Sequence, residues 1–294
     1  MPHTSVLSST IHHREVGAGA PVVFLHGNPT SSYLWRKILG AVGPGVRSLA
    51  PDLIGMGESG KPDDIAYTFA DHATYLGAWI EALGLDTITL VGHDWGGALA
   101  LDWAARHPDR ICGLSFFETI VRPMQWDDLP ESARPVFKNF RDRGPGERLV
   151  LEENVFIEQA LPFNIKHLAP EDHEIYRAPY PTPASRRPLL AWPRSMPISG
   201  EPADVDERVR RYDEWLSTSE GVPKLHLTFH DGPGLMGPAV AAWCRDNIVD
   251  LETVDCGDAG HHAPEDQPDA IAAAISSWLD RHGLRDTGTT PGGP

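Results

Sequence analysis

The sequence predicts an α/β protein, a mostly parallel sheet with helices on both faces and a helical insertion. Three observations predict it. Short apolar runs alternate with segments of helical spacing, first from 21 to 117 and again from 223 to 282. Between about 121 and 202 the alternation stops, and prolines break a series of helical segments with no convincing strand. The run Ile88-Thr89-Leu90-Val91 meets Gly92-His93-Asp94-Trp95-Gly96, and a small-residue helical run follows at once. That is a strand, a tight turn and a helix, with Asp94 at the apex and glycines where the turn crowds the backbone.

The elements follow in order. Residues 5–16 read as a strand pair leading into the 17–20 turn, and Pro21-Val22-Val23-Phe24-Leu25 as a short buried strand. His26-Gly27-Asn28-Pro29 opens a loop, 35–42 reads as a short helix, and 46–50 is a strand. Phe69, His72, Leu76, Trp79, Ile80 and Leu83 space a helix over 68–83, which Gly84 ends. Strand 87–92, helix 95–106 and strand 111–117 complete the first half, and the second strand ends at Glu118. After the insertion come helix 205–219, strand 223–229, helix 237–246, strand 250–256 and helix 268–282. The expected organisation is a core of 1–120 plus 204–294, a helical cap of 121–203, and a disordered tail of 286–294.

Composition narrows the function. At 294 residues and 41% hydrophobic, the chain can bury a sizeable core. A formal charge of −16 argues against nucleic acid or an anionic membrane as partner. Cys112, Cys244 and Cys256 have neither metal-ligand nor disulfide-framework spacing, so a reducing cytoplasm is expected. Cys112, in an apolar run, reads as a small core residue. The 14 histidines are scattered and read mostly as surface or capping residues. The first residues lack a basic segment followed by an apolar one, and no window is long and apolar enough to span a membrane.

In open parallel sheets function sits beyond the carboxyl ends of the strands. Those ends carry His26-Gly27-Asn28, Asp94-Trp95, Glu118, His230-Asp231 and Gly260-His261-His262. A nucleophilic carboxylate, a second carboxylate and a histidine in that order make a triad Asp94–Glu118–His261. Asp231 competes with Glu118 for the acid position, and His262 adjoins His261. A carboxylate rather than a serine at the apex can attack carbon directly and form an ester that water then hydrolyses.

Five stretches together resemble the haloalkane dehalogenases of the α/β-hydrolase fold. They are HGNPTSSYLWR (26–36), APDLIGMGESGKP (50–62), GHDWGG (92–97), ETIVRPMQWDDLPE (118–131) and AGHHAPEDQPDAI (259–271). The resemblance runs from Val22 to Leu279 and implies an eight-stranded, mostly parallel sheet with an inserted cap. It implies that Asp94 attacks the halogen-bearing carbon and that Trp95 and Asn28 hold the halide. It implies further that the backbone N–H groups of Asn28 and Trp95 form the oxyanion hole. His261, oriented by Glu118, activates water in this scheme. The substrate would be a small apolar halogenated molecule, with water and halide as the other partners and no metal or organic cofactor. The family pattern Gly-His-x-x-x-Glu-(Asp/Glu) selects His261 over His262. Thr-Ile-Val-Arg-Pro after Phe116-Phe117-Glu118 favours Glu118 over Asp231.

Three other functions use related sequence. Epoxide hydrolases share the Asp–His pair and add two cap tyrosines, for which Tyr176, Tyr180 and Tyr212 are available, but they carry an aromatic residue at the position of Asn28. A luciferase of the Renilla type shares the triad order and resembles the stretch from Arg186 to Pro193. A receptor on this fold would bind a small ligand without turnover.

Overall fold

The computed structural model describes residues 2–230 and 234–286. Its sheet has eight strands: β1 His3–Val6, β2 Ser9–Gly17, β3 Gly19–Leu25, β4 Gly45–Pro51, β5 Ile88–His93, β6 Ile111–Phe117, β7 Lys224–His230 and β8 Leu251–Asp258. Their spatial order is β1-β2-β4-β3-β5-β6-β7-β8. The β1–β2 and β2–β4 pairs are antiparallel and all others parallel. The α-helices are α1 Phe69–Ala82, α2 Trp95–Arg106, α3 Arg134–Arg141, α4 Leu161–Phe163, α5 Pro170–Arg177, α6 Arg187–Ser195, α7 Ala203–Thr218, α8 Pro238–Asn247, α9 Ala263–Asp266 and α10 Pro268–Arg281.

Strand periodicity builds two cores. Val23, Leu25 and Leu90 face one side, where α1, α2 and α7 pack, while Val22, Phe24 and Val91 face the side covered by α10. Central strands buried on both faces must be apolar throughout, which is why β3 and β5 read as continuous hydrophobic runs. A capping box fixes the start of α1: Thr68 Oγ1 accepts from the Asp71 N–H and Asp71 Oδ2 from the Thr68 N–H.

The chain leaves β3 for β4 on one side and returns to form β5 on the other. That reversal opens a crevice at the carboxyl ends of β3 and β5, where ligands bind in open α/β sheets. From 121 to 202 the chain forms α3 to α6 with short 3-10 and π turns, and among the described residues its β pairing is limited to isolated bridges.

Three expectations need correction. The predicted helix over 35–42 is a 3-10 turn, Ser32–Trp35, followed by irregular turns, because i→i+3 and i→i+4 hydrogen bonds mix from Trp35 onward. Cys112 is exposed rather than in the core. Ile88 pairs with Ile111 and Thr89 with Gly113, so Cys112 is the extra residue of a bulge and turns outward. The histidines are not mostly superficial: His12, His13, His26, His72, His93, His226 and His262 are buried. Asp231 and all but the first residue of the expected tail lie outside the described residues.

Candidate functional site

Asp94 leads from β5 into α2 with φ +53°, a conformation that an L-residue adopts only when its surroundings impose it. The Thr119 hydroxyl (2.6 Å) and the Gly97 N–H (2.9 Å) both donate to the Asp94 carbonyl and pin the turn. A Cβ on Gly96 would lie 2.2 Å from the Leu25 carbonyl oxygen, so the elbow nests against β3 only with glycine there. A Cβ on Gly27 would lie 2.4 Å from Asp94 Oδ1. Glycine at 27 therefore lets the loop after β3 close on the carboxylate. The Asn28 N–H donates to Asp94 Oδ1 at 3.1 Å.

His261 lies between two carboxylates. Its Nδ1 is 2.9 Å from Glu118 Oε2 and its Nε2 is 3.7 Å from Asp94 Oδ2. Glu118, buried and at φ +47° just past β6, also accepts from three successive backbone N–H groups. Gly234 (2.5 Å) and Leu235 (3.1 Å) donate to Oε2, and Met236 (3.3 Å) to Oε1. These donors fix the position of the buried carboxylate behind the His261 ring. Burial opposes a charged His261 ring, but the hydrogen bonds and charges of Asp94 and Glu118 prevail and push it up to about 10.

Trp95 is buried, and its indole N–H meets no acceptor among the described residues. Its ring stacks on Trp192 of α6, with centroids 4.8 Å apart and planes 24° apart. The same helix reaches Asn28. Pro193 has no N–H, so it cannot bond the Leu189 carbonyl one turn earlier. That carbonyl instead accepts from Asn28 Nδ2 at 3.4 Å. One interrupted cap helix thus orients both Trp95 and Asn28.

These groups meet in a cavity of about 700 Å³, within the usual range for small-ligand sites. Asn28, Asp94, Trp95, His261 and His262 line its floor, and α3, α4 and α6 contribute apolar wall. Phe137, Phe156 and Phe163 of the cap and Leu235 of the core reach it, whereas Trp126, Leu161 and Trp192 do not. The three tyrosines raised for epoxide chemistry are absent from the lining. Tyr176 donates to Glu265, Tyr212 to the Ile120 carbonyl, and Tyr180 is buried against Lys61.

The sequence reading missed the three N–H groups on Glu118 and the work of α6. The glycines around 234 signalled close backbone approach, and Pro193 inside a helical segment signalled a freed carbonyl. It also missed a cluster behind the cavity floor. Among the described residues, His93, His261 and His262 each offer a nitrogen within 4.8 Å of the others, a spacing compatible with a metal ion. The His93 Nε2–H donates to the His261 carbonyl at 2.7 Å. Burial, followed by the charge of His261, keeps His93 and His262 well below the usual histidine range and therefore neutral.

A carboxylate on a strained strand-to-helix turn, followed along the chain by an acid and a histidine at later strand ends, defines an α/β hydrolase. The family model described as "alpha/beta hydrolase fold" matches residues 20–161. A haloalkane dehalogenase of Mesorhizobium japonicum is 46% identical over 93% of this chain and 89% of its own length. One from Bradyrhizobium diazoefficiens is 46% identical over 93% and 92%. The crystal structure of a haloalkane dehalogenase from Bradyrhizobium elkani superposes with a TM-score of 0.92 at 43% identity, covering 96% of this chain and 98% of that one. The chain belongs to the haloalkane dehalogenases.

Proposed function

We propose that this protein hydrolyses carbon–halogen bonds of apolar haloalkanes to an alcohol, a halide and a proton, through an ester on Asp94. One observation carries the reading: a nucleophilic carboxylate, an unpartnered indole N–H and the Asn28 side chain face one apolar cavity. Asn28 N–H holds Oδ1, which leaves Oδ2 to attack the halogen-bearing carbon. The carbon–oxygen bond forms as the halide departs with the bonding pair toward Trp95 Nε1–H and Asn28 Nδ2–H. These are neutral donors placed where charge develops.

Ester formation then prepares the second step. It removes the Asp94 charge, one of the two that raise His261, so the ring gives its proton to solvent and becomes a base able to take one from water. Hydroxide attacks the Asp94 carboxyl carbon, and the backbone N–H groups of Asn28 and Trp95 stabilise the resulting oxyanion. Glu118 orients the ring and balances its positive charge. On collapse the proton of the tetrahedral hydroxyl passes to the departing alkoxide, which leaves as the alcohol, the Asp94 carboxylate is restored, and His261 is left protonated as at the outset.

Residues 121–203 act as a cap that excludes water from the first step. Free Cys112, Cys244 and Cys256 support a cytoplasmic setting, and no helix among the described residues is long and apolar enough to cross a membrane. The test is bromide release from 1,2-dibromoethane and 1-bromobutane. Wild type releases bromide continuously, and Asp94→Ala releases none while keeping its circular dichroism. His261→Phe releases one equivalent and gains the mass of the alkyl group. A wild type silent on both substrates refutes the activity, and trapping by His262→Phe instead reassigns the base.

A further inference from the structure

Beyond the hydrolytic site, we propose that His93, His261 and His262 form a binding site for a borderline divalent metal ion such as Zn²⁺, and that occupancy switches turnover off. The inhibitory part rests on the reading of His261 as the base.

The geometry is the first argument. A tetrahedral ion held by three imidazole nitrogens at 2.0–2.1 Å sets those nitrogens about 3.3 Å apart and the ring centroids about 5.2 Å apart. The centroid distances here are 5.0 Å for His93–His261, 5.5 Å for His93–His262 and 4.9 Å for His261–His262. The rings are mutually inclined by 47°, 64° and 63°, so no two are stacked face to face. One nitrogen of each ring lies within 4.8 Å of one nitrogen of each of the others.

The second argument is unspent ligand capacity. His93 donates through Nε2 to a carbonyl, which fixes its tautomer and leaves the Nδ1 lone pair bare. That Nδ1 is buried without a hydrogen-bond partner among the described residues, and so is His262 Nδ1. His13, His72 and His226 also bury an imidazole nitrogen without a hydrogen-bond partner among the described residues, so what distinguishes this pair is the third histidine beside them. Two of them beside a third histidine fit a metal better than they fit packing. The Asp94 and Glu118 carboxylates, each bonded or paired to His261, add negative charge that favours a cation. His261 and His262 both line the cavity, which supplies a route in and an open fourth position for water.

Binding needs no redox partner. The ion takes one lone pair from each ring, and the proton carried by His261 leaves to solvent. A metal-bound His261 no longer accepts a proton from water, so turnover stops.

The test uses the full-length protein with Co²⁺ as spectroscopic probe and Zn²⁺ as inhibitor. Wild type is expected to bind one Co²⁺ with visible d–d absorption of a four-coordinate ion. With free Zn²⁺ at ten times its Kd, bromide release should fall about elevenfold and return on adding EDTA. His262→Phe, and independently His262→Asn, should lose the absorption band and the Zn²⁺ sensitivity, read as the ratio of rates with and without metal. Near-ultraviolet circular dichroism checks that each variant is folded. Absence of the band in wild type, or its persistence in both folded variants, overturns the site and leaves the hydrolytic reading untouched. A band that depends on His262 without loss of turnover keeps the site and overturns His261 as the base.

Discussion

Replacing Glu118 with glutamine tests the assignment of the acid. Oε2 accepts from His261 Nδ1, Gly234 N–H and Leu235 N–H, while Oε1 accepts only from Met236 N–H. In Glu118→Gln the amide oxygen can take the three-donor position. The amide NH₂ then faces the Met236 N–H across 3.3 Å, with two donors and no acceptor. Met236 is buried, so the orphaned N–H costs about 1–3 kcal/mol of stability. That lowers Tm by about 2–4 °C per kcal/mol.

The chemical cost is separate and larger. The imidazolium formed during water activation loses its counter-charge, and an acid-to-amide change behind a general-base histidine costs about 10⁴ in rate. Attack of Asp94 on carbon uses no proton from His261. Stopped-flow bromide detection should therefore show a burst of one equivalent followed by turnover reduced by about 10³–10⁴. Turnover within about tenfold of wild type refutes the reasoning, as does a greater loss in Asp231→Asn.

Three further outcomes are expected. Trp95→Phe keeps a ring to stack on Trp192 but loses the N–H, so kcat for bromide release should drop about 10²–10³; a rate within threefold of wild type removes Trp95 from the halide site. Pro193→Ala supplies an N–H that competes for the Leu189 carbonyl, so Asn28 loses its tether and bromide affinity, read by tryptophan quenching, should weaken about 2–10-fold; unchanged affinity refutes the link through α6. Burial, and then the charge of His26, lowers His72 to about 3, so this group contributes stability above pH 6.5 that is lost as pH falls toward 3. Neither His72 nitrogen has a hydrogen-bond partner among the described residues, so His72→Phe should flatten urea-measured stability by about 1.4 kcal/mol per pH unit between 6.5 and 4.5, and parallel pH curves refute it.

The division between sequence and structure follows the range of the forces. Local rules acted within a few residues: the alternation of apolar runs gave the sheet, Gly84 ended a helix, and small residues around Asp94 announced the elbow. The order of Asp94, Glu118 and His261 at strand ends was legible because parallel strands bring their carboxyl ends to one edge. Contacts far apart along the chain were not legible. That Glu118 rests on the N–H groups of 234–236 depends on how the segment before α8 lies against the end of β6, and that Leu189 turns its carbonyl to Asn28 depends on how the cap settles on the sheet. Periodicity carries no record of that docking. Burial of the histidines was hidden for the same reason, since a ring's surroundings are assembled from many elements. The sequence by itself determined which strand ends bear chemistry. Only the tertiary structure decided how those groups are held, and that a third histidine, His262, joins His93 and His261 behind them.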